Sequence, residues 1–112
     1  MSNEFAVDDL YSTGWLPLDT SGCDRDSQGR WYPTKRRIDR ECEDLGATIS
    51  LDEAEGFGCV TASWNVGDDS GRCIAGTTDE ALIHALAQAR RSASRVQLLV
   101  SACGLSVLNL AR

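Results

Sequence analysis

The stretch CVTASWNV at residues 59–66 decides the fold class. Its apolar residues alternate with small polar ones, and this period of two is typical of a strand with one buried face. Residues 67–71 then predict a hairpin turn, and residues 72–75 predict the strand that returns from it. Upstream, residues 47–51 predict another strand and residues 52–58 a loop. The centre of the chain is therefore predicted to be a three-stranded antiparallel sheet.

One helix is predicted before this sheet in the chain, and a second helix after it. The first begins at Pro33 or Thr34, because proline suits the first turn of a helix. It ends at Gly46, since glycine readily takes the left-handed conformation that follows a last turn. The second begins after Thr77, which forms a capping box with Glu80 three residues later. The apolar stripe of the first helix consists of Ile38, Cys42 and Leu45.

The two ends of the chain have weaker patterns. Residues 1–30 predict an irregular segment in which glycines and short polar residues alternate, with at most a short strand near residues 14–16. Through residues 96–112, apolar residues continue to recur at spacings of three and four. This pattern fits one long helix, which could form the interface of a dimer. A break near residues 92–94 with a strand at residues 96–100 fits as well and is slightly favoured. The sequence thus predicts a single α+β domain: an irregular N-terminal segment, a helix, a three-stranded antiparallel sheet and a helix.

Composition limits the classes of protein to consider. A chain of 112 residues that is 42% hydrophobic and 25% charged fits one folded domain. Its N-terminus lacks the features of a signal peptide, and its longest apolar stretch is interrupted by polar residues, so we expect a cytoplasmic protein without a membrane span. Five cysteines occur without any Cys-x-x-Cys pair, which favours free thiols over disulfides or a zinc site. We expect no cofactor.

Catalytic and metal-binding motifs are not predicted. Residues 24–29 resemble the start of a calcium-binding EF-hand loop, but its twelfth position is Lys35 where a bidentate glutamate is required. An Asx turn explains that segment better. The only histidine, His84, is predicted to face solvent on the second helix, where it has no nucleophile to activate. An enzyme is therefore not expected.

Charge is segregated along the chain, whose net charge is −6. Residues 39–80 contain eleven acidic residues and two arginines, which gives a net charge of −9. These carboxylates could form a solvated rim, or they could form a face that docks on a basic surface as a nucleic-acid mimic does. In the first predicted helix they also crowd the C-terminal turn, which the helix dipole disfavours. The candidate partner-binding residues are Asp39, Glu41, Glu43, Asp44, Asp52, Glu53, Glu55, Asp68 and Asp69.

A short basic stretch opposes this acidic block. Basic residues interleaved with aromatic ones can neutralise phosphates and stack bases, so this stretch is an alternative nucleic-acid-binding site. The favoured interpretation is that its aromatic residues pack on the core while its basic residues pair with the acidic N-terminal segment. Whether Trp15 and Trp31 form a pocket or fill the core stays open. The stretch consists of Arg30, Trp31, Tyr32, Lys35, Arg36 and Arg37.

Residues 47–93 carry a resemblance to known families. Hairpin-linked strands, one of them bearing a tryptophan, precede a helix that starts Gly76-Thr77-Thr78-Asp79-Glu80, and this order resembles HicB-type antitoxins and small phage-encoded α/β sandwich domains. The helix start is one residue shorter than in HicB, and the turn Pro-Asp-Leu-Pro-Gly-Cys is absent. Double-stranded-RNA-binding domains share the same element order but have a basic second-helix start. The resemblance implies a fold and a mobile-element setting, and no site residues.

These observations predict a small acidic binding protein without catalytic activity. We expect it to act as an inhibitor or regulator that docks on a basic protein surface, in the manner of a phage-encoded inhibitor such as an anti-CRISPR protein. The alternative is a HicB-like antitoxin or regulator that contacts nucleic acid through residues 30–37. A protein partner is expected, a homodimer is compatible with the pattern, and direct nucleic-acid binding is the less favoured case.

Overall fold

A computed structural model of the protein describes the backbone of residues 4–54 and 58–110, and the side chains of residues 4–52 and 58–95. The predicted α+β class is confirmed: in chain order, a helix, a three-stranded antiparallel sheet and a helix follow one another. The N-terminal part contributes a further helix and a two-stranded hairpin. In chain order the elements are α1 (Glu4–Tyr11), β1 (Cys23–Arg25), β2 (Trp31–Pro33), α2 (Lys35–Leu45), β3 (Ala47–Ala54), β4 (Cys59–Val66), β5 (Asp69–Ala75) and α3 (Thr78–Leu110).

The main sheet has the order β3-β4-β5. Its register pairs Leu51 with Ala62 and Ala62 with Cys73, so apolar side chains from all three strands share the face that packs on the helices. The turn between β4 and β5 is shorter than predicted, because β5 already starts at Asp69. Likewise β3 continues to Ala54, beyond the predicted strand end, and the rest of the predicted loop lies partly outside the described residues.

The predicted start of α3 and the predicted stop of α2 are confirmed, whereas α2 begins at Lys35 and Pro33 does not belong to its first turn. Thr34 is the N-cap of α2, one residue later than a start at Pro33, because Pro33 is the last residue of β2. Gly46 takes the left-handed conformation with φ at 70° and ends α2. At α3 the backbone N–H of Glu80 donates to the Thr77 hydroxyl at 3.2 Å, as the capping box predicts.

Helix α3 lies at the centre of the fold. Seven of the nine residues from 81 to 89 are buried, and His84 and Gln88 are half-buried, so the helix is covered all round. The sheet covers one side, and α1 and α2 cover the others. The helix continues without interruption to Leu110, so the favoured break near residues 92–94 and the strand at 96–100 were wrong. Ser92 does not interrupt the helix, because its hydroxyl donates to Asp69 at 2.6 Å instead of competing for helix backbone groups.

The N-terminal segment is only partly irregular: the prediction missed α1 and β1, whereas residues 12–22 and 26–30 contain no helix or strand. Three buried residues of α1, Ala6, Val7 and Leu10, face the core, and α1 packs on α3. The predicted strand near residues 14–16 is absent; instead, Trp15 is buried edge-on against Tyr11, with ring centroids 5.5 Å apart. Trp15 therefore belongs to the core. Helix α1 completes the cover of α3.

The central strand meets β5 at a position that only glycine fits. A Cβ atom at Gly71 would lie 2.7 Å from the Trp64 ring, closer than packed carbon atoms approach. We expect Gly71→Ala to lower the free energy of unfolding by about 1–3 kcal/mol, because the indole must leave its preferred position. Chemical denaturation measures this difference. Gly76→Ala is the matched control, since nothing lies within 4 Å of its Cβ position. Equal stability of the two variants would contradict the close packing of Gly71 on Trp64.

Candidate functional site

The sheet register separates the predicted partner-binding carboxylates into two groups. Ala47 pairs with Val66, so the end of α2 and the turn between β4 and β5 share one end of the sheet. Asp52 lies five positions further along β3, which places it about 17 Å away at 3.3 Å per residue. The group at the first end contains Glu43, Asp44, Asp68 and Asp69, whereas Asp52 and Glu53 lie towards the other. Glu55 lies outside the described residues, as does the side chain of Glu53.

Two of the predicted carboxylates are used inside the protein. Glu41 accepts from Arg37 at 2.9 Å and is half-buried. Asp69 accepts hydrogen bonds from Ser92 at 2.6 Å and Arg95 at 3.2 Å, and the Ser92 bond in particular lowers its pKa. These two residues therefore stabilise the fold and are less available to a partner.

Four carboxylates remain exposed on the same part of the molecule. Asp39, Glu43 and Asp44 lie on the outer side of α2, and Asp68 lies in the turn that follows β4. Within the described part of the chain, none of the four forms an ion pair. We call Glu43, Asp44 and Asp68 the acidic end of the domain.

The charges of α2 oppose its dipole. Its first turn has no acidic residue and its last turn has no basic one, while Thr34 makes no side-chain capping bond. Glu43 and Asp44 lie where the helix dipole disfavours negative charge, at a typical cost of about 0.3–1 kcal/mol each. Within the described part of the chain, no ion pair of Glu43 or Asp44 offsets this cost.

Arg30 and Arg37, from the alternative nucleic-acid-binding set, are engaged within the protein. Arg30 forms an ion pair with Asp8 on α1 and another with Asp26 at 3.0 Å. Only 6% of the Arg37 side chain is exposed, and its guanidinium also donates to the backbone carbonyls of Asp19 and Ser21 at 2.5 and 2.6 Å. The pair of Arg30 with Asp8 is of the predicted kind, an arginine bound to an acidic residue of the N-terminal segment. Arg37 contacts that segment through backbone carbonyls, and its carboxylate partner is Glu41 on the same helix.

The remaining members of that set differ in exposure. Trp31 is half-buried beneath Arg25, whose guanidinium carbon lies 4.4 Å from the ring centroid, and Tyr32 is half-buried against the core. Lys35 and Arg36 are exposed on the first turn of α2. Two of the six candidate residues are therefore well exposed for nucleic acid.

The prediction that His84 faces solvent was wrong, because its side chain is half-buried against α1. Its Nδ1 lies 2.8 Å from Asp9 on α1, and Arg91, two turns further along α3, binds the same carboxylate. Burial alone would raise the pKa of Asp9, but hydrogen bonds from Arg91 and His84 outweigh burial and lower it. The contacts among Asp9, His84 and Arg91 join α1 to α3. Sequence reasoning missed this cluster because its members are 75 to 82 residues apart.

Three of the cysteines with described side chains are poorly suited to nucleophilic chemistry. Burial raises the pKa of Cys42 and of Cys73 to about 11, and burial also raises the pKa of Cys23. These thiols are protonated at neutral pH and are weak nucleophiles in that form. Cys23, Cys42, Cys59 and Cys73 are free thiols.

The segment that resembles an EF-hand start uses its aspartate for the backbone. Asp26 accepts the N–H groups of Gln28 and Arg30, each at 2.9 Å, which confirms the predicted Asx turn. Among the residues whose side chains are described, no three His, Cys, Asp or Glu residues are grouped as a metal site requires.

Comparison with known proteins gives no family assignment. No protein-family model, curated protein or solved structure matches the chain. The resemblance to HicB-type and phage-encoded domains therefore stays a prediction. In the described part of the chain, no helix combines the length and hydrophobicity that crossing a membrane requires.

Proposed function

We propose that this protein binds a partner protein through its acidic end and occupies a basic surface on that partner. The observation that carries the proposal is the placement of Glu43 and Asp44 at the end of α2, where the helix dipole disfavours them. Both are exposed, and neither forms an ion pair with a residue whose side chain is described. A partner's lysine and arginine side chains would neutralise both carboxylates.

The type of partner follows from the charge of the whole chain. A net charge of −6 attracts basic surfaces over long range and accelerates association with them. Nucleic-acid-binding grooves are basic surfaces of this kind, because their lysine and arginine residues neutralise phosphates. An inhibitor that covers such a groove fits the size and charge of the chain, and a phage-encoded inhibitor such as an anti-CRISPR protein is one example of this class.

Charge reversal at the two ends of the sheet tests the proposal. We expect Asp44→Lys to weaken binding to purified basic nucleic-acid-binding proteins by about tenfold or more, because an attractive contact becomes a repulsive one. Asp52→Lys is the matched control: it makes the same change of charge on an exposed residue towards the opposite end of the sheet. Calorimetry at low and high salt measures both affinities. If both variants weaken binding equally, only net charge matters and the proposed site is wrong.

The alternative function, a HicB-like regulator that contacts nucleic acid, is supported by the exposure of Lys35 and Arg36. It requires salt-dependent binding of DNA or RNA that Arg36→Gln abolishes. The same gel-shift experiment on Asp44→Lys separates the two functions, since reversing an acidic residue would strengthen nucleic-acid binding and weaken binding to a basic protein.

A further inference from the structure

A cavity of about 610 Å³ lies where the end of α1, the central strand and α3 meet. This volume is within the usual range of small-molecule sites. In the part of the chain with described side chains, its lining combines one large aromatic side chain with polar and basic ones. The residues are Thr13, Trp64, Gln88, Arg91, Ser94 and Arg95.

The side-chain nitrogen groups left available in this cavity are hydrogen-bond donors, and the Thr13 and Ser94 hydroxyls can donate as well as accept. Gln88 accepts the indole N–H of Trp64 through its amide oxygen at 2.6 Å, so its amide nitrogen is the group left over. Arg91 makes its contacts through Nη2 alone, and Arg95 reaches Asp69 through Nη2 alone. Within the described residues, the Nε and Nη1 groups of both arginines have no partner. A ligand that meets these atoms must supply acceptors.

Carboxylates are absent from the described lining of the cavity. The two that neutralise its arginines, Asp9 and Asp69, contact those guanidiniums through Nη2 and leave the other N–H groups available. Beyond Glu80 the sequence contains no aspartate or glutamate, so the remainder of α3 cannot add one. A local surplus of donors therefore exists in a protein whose net charge is −6.

We propose that this cavity binds a small anionic molecule, a phosphate ester or carboxylate carried on a planar apolar group. The anion accepts bidentate hydrogen bonds from Arg91 and Arg95, which lie four residues apart on one face of α3. The planar group lies against Trp64. This activity is separate from docking through the acidic end, and either can fail without the other.

Phenyl phosphate is the probe, and phenol is its uncharged control. We expect phenyl phosphate to shift the indole N–H resonance of Trp64 in NMR spectra and to leave those of Trp15 and Trp31 in place, while phenol binds at least tenfold more weakly. Benzoate and inorganic phosphate, tested in parallel, show whether carboxylate or phosphate is preferred. No shift of the Trp64 resonance with millimolar phenyl phosphate, or equal affinity for phenol, would overturn the proposal.

Two variants test the anion subsite while preserving the fold. Arg95→Gln removes an exposed guanidinium, while Asp69 keeps its Ser92 hydrogen bond, and we expect about a tenfold to 100-fold loss of affinity for phenyl phosphate. Arg72→Gln, on the opposite face of the sheet, is the control with the same change of charge. Ser94→Glu places a carboxylate in the cavity and should abolish binding, whereas Ser94→Gln should retain it. Equal affinities within either pair contradict the anion site.

Discussion

Replacing Leu10 with alanine is expected to lower the free energy of unfolding by about 2–5 kcal/mol. Leu10 is fully buried in the core cluster that α1 forms with α3, and its removal leaves a cavity between two helices that cannot easily collapse. Urea denaturation followed by circular dichroism measures the change. The effect is large because the N-terminal segment is part of the core.

Leu18→Ala is the matched control for this experiment. Leu18 belongs to the same N-terminal segment but is 93% exposed, so its truncation should change stability by less than about 0.5 kcal/mol. If Leu10→Ala were as mild as Leu18→Ala, α1 would not be packed on α3 as described.

Arg37→Ala is expected to lower the free energy of unfolding by about 3–5 kcal/mol, the cost of breaking a buried ion pair from one side. The change leaves Glu41 without its partner and takes a donor from the backbone carbonyls of Asp19 and Ser21. Thermal and chemical denaturation both report it. A binding role for Arg37 would not require such a loss.

Arg36→Ala provides the comparison, because Arg36 is the exposed neighbour of Arg37 on the same turn. It should alter stability by less than about 0.5 kcal/mol. If the two variants were equally stable, Arg37 would not be needed for folding. It would then be available, with Lys35 and Arg36, to bind nucleic acid.

The sheet and the helix ends could be predicted because their signals are local. Alternation in β4 places its apolar residues on one face, and the cap residues Gly46 and Thr77 act on their immediate neighbours. Helix α1 escaped prediction because eight residues show too little periodicity, and its stability comes from packing on α3 rather than from its own sequence. The continuation of α3 past Ser92 agrees with the long-helix alternative that the apolar spacing allowed, and the Ser92 hydroxyl donates to Asp69 on β5.

The sequence shows which residues of the candidate site are charged. It does not show which of them form ion pairs or hydrogen bonds within the protein. Glu41 and Asp69 look like the other acidic residues in the sequence, yet the fold pairs them with Arg37 and with Ser92 and Arg95. The cluster of Asp9 and His84 joins residues 75 positions apart, and no local pattern encodes such a contact. Register also separates Asp52 from the acidic end, which charge counting along the chain could not show.

The central claim is that Glu43 and Asp44 serve binding at the expense of stability, and measuring both properties on Glu43→Lys tests it most directly. The lysine would face the C-terminal end of the helix dipole and lie four residues after Asp39, so we expect the free energy of unfolding to rise by about 0.3–1 kcal/mol. Affinity for a basic partner protein should fall in the same variant. A variant that is no more stable than the original protein, or one that is more stable and binds equally well, would contradict the account.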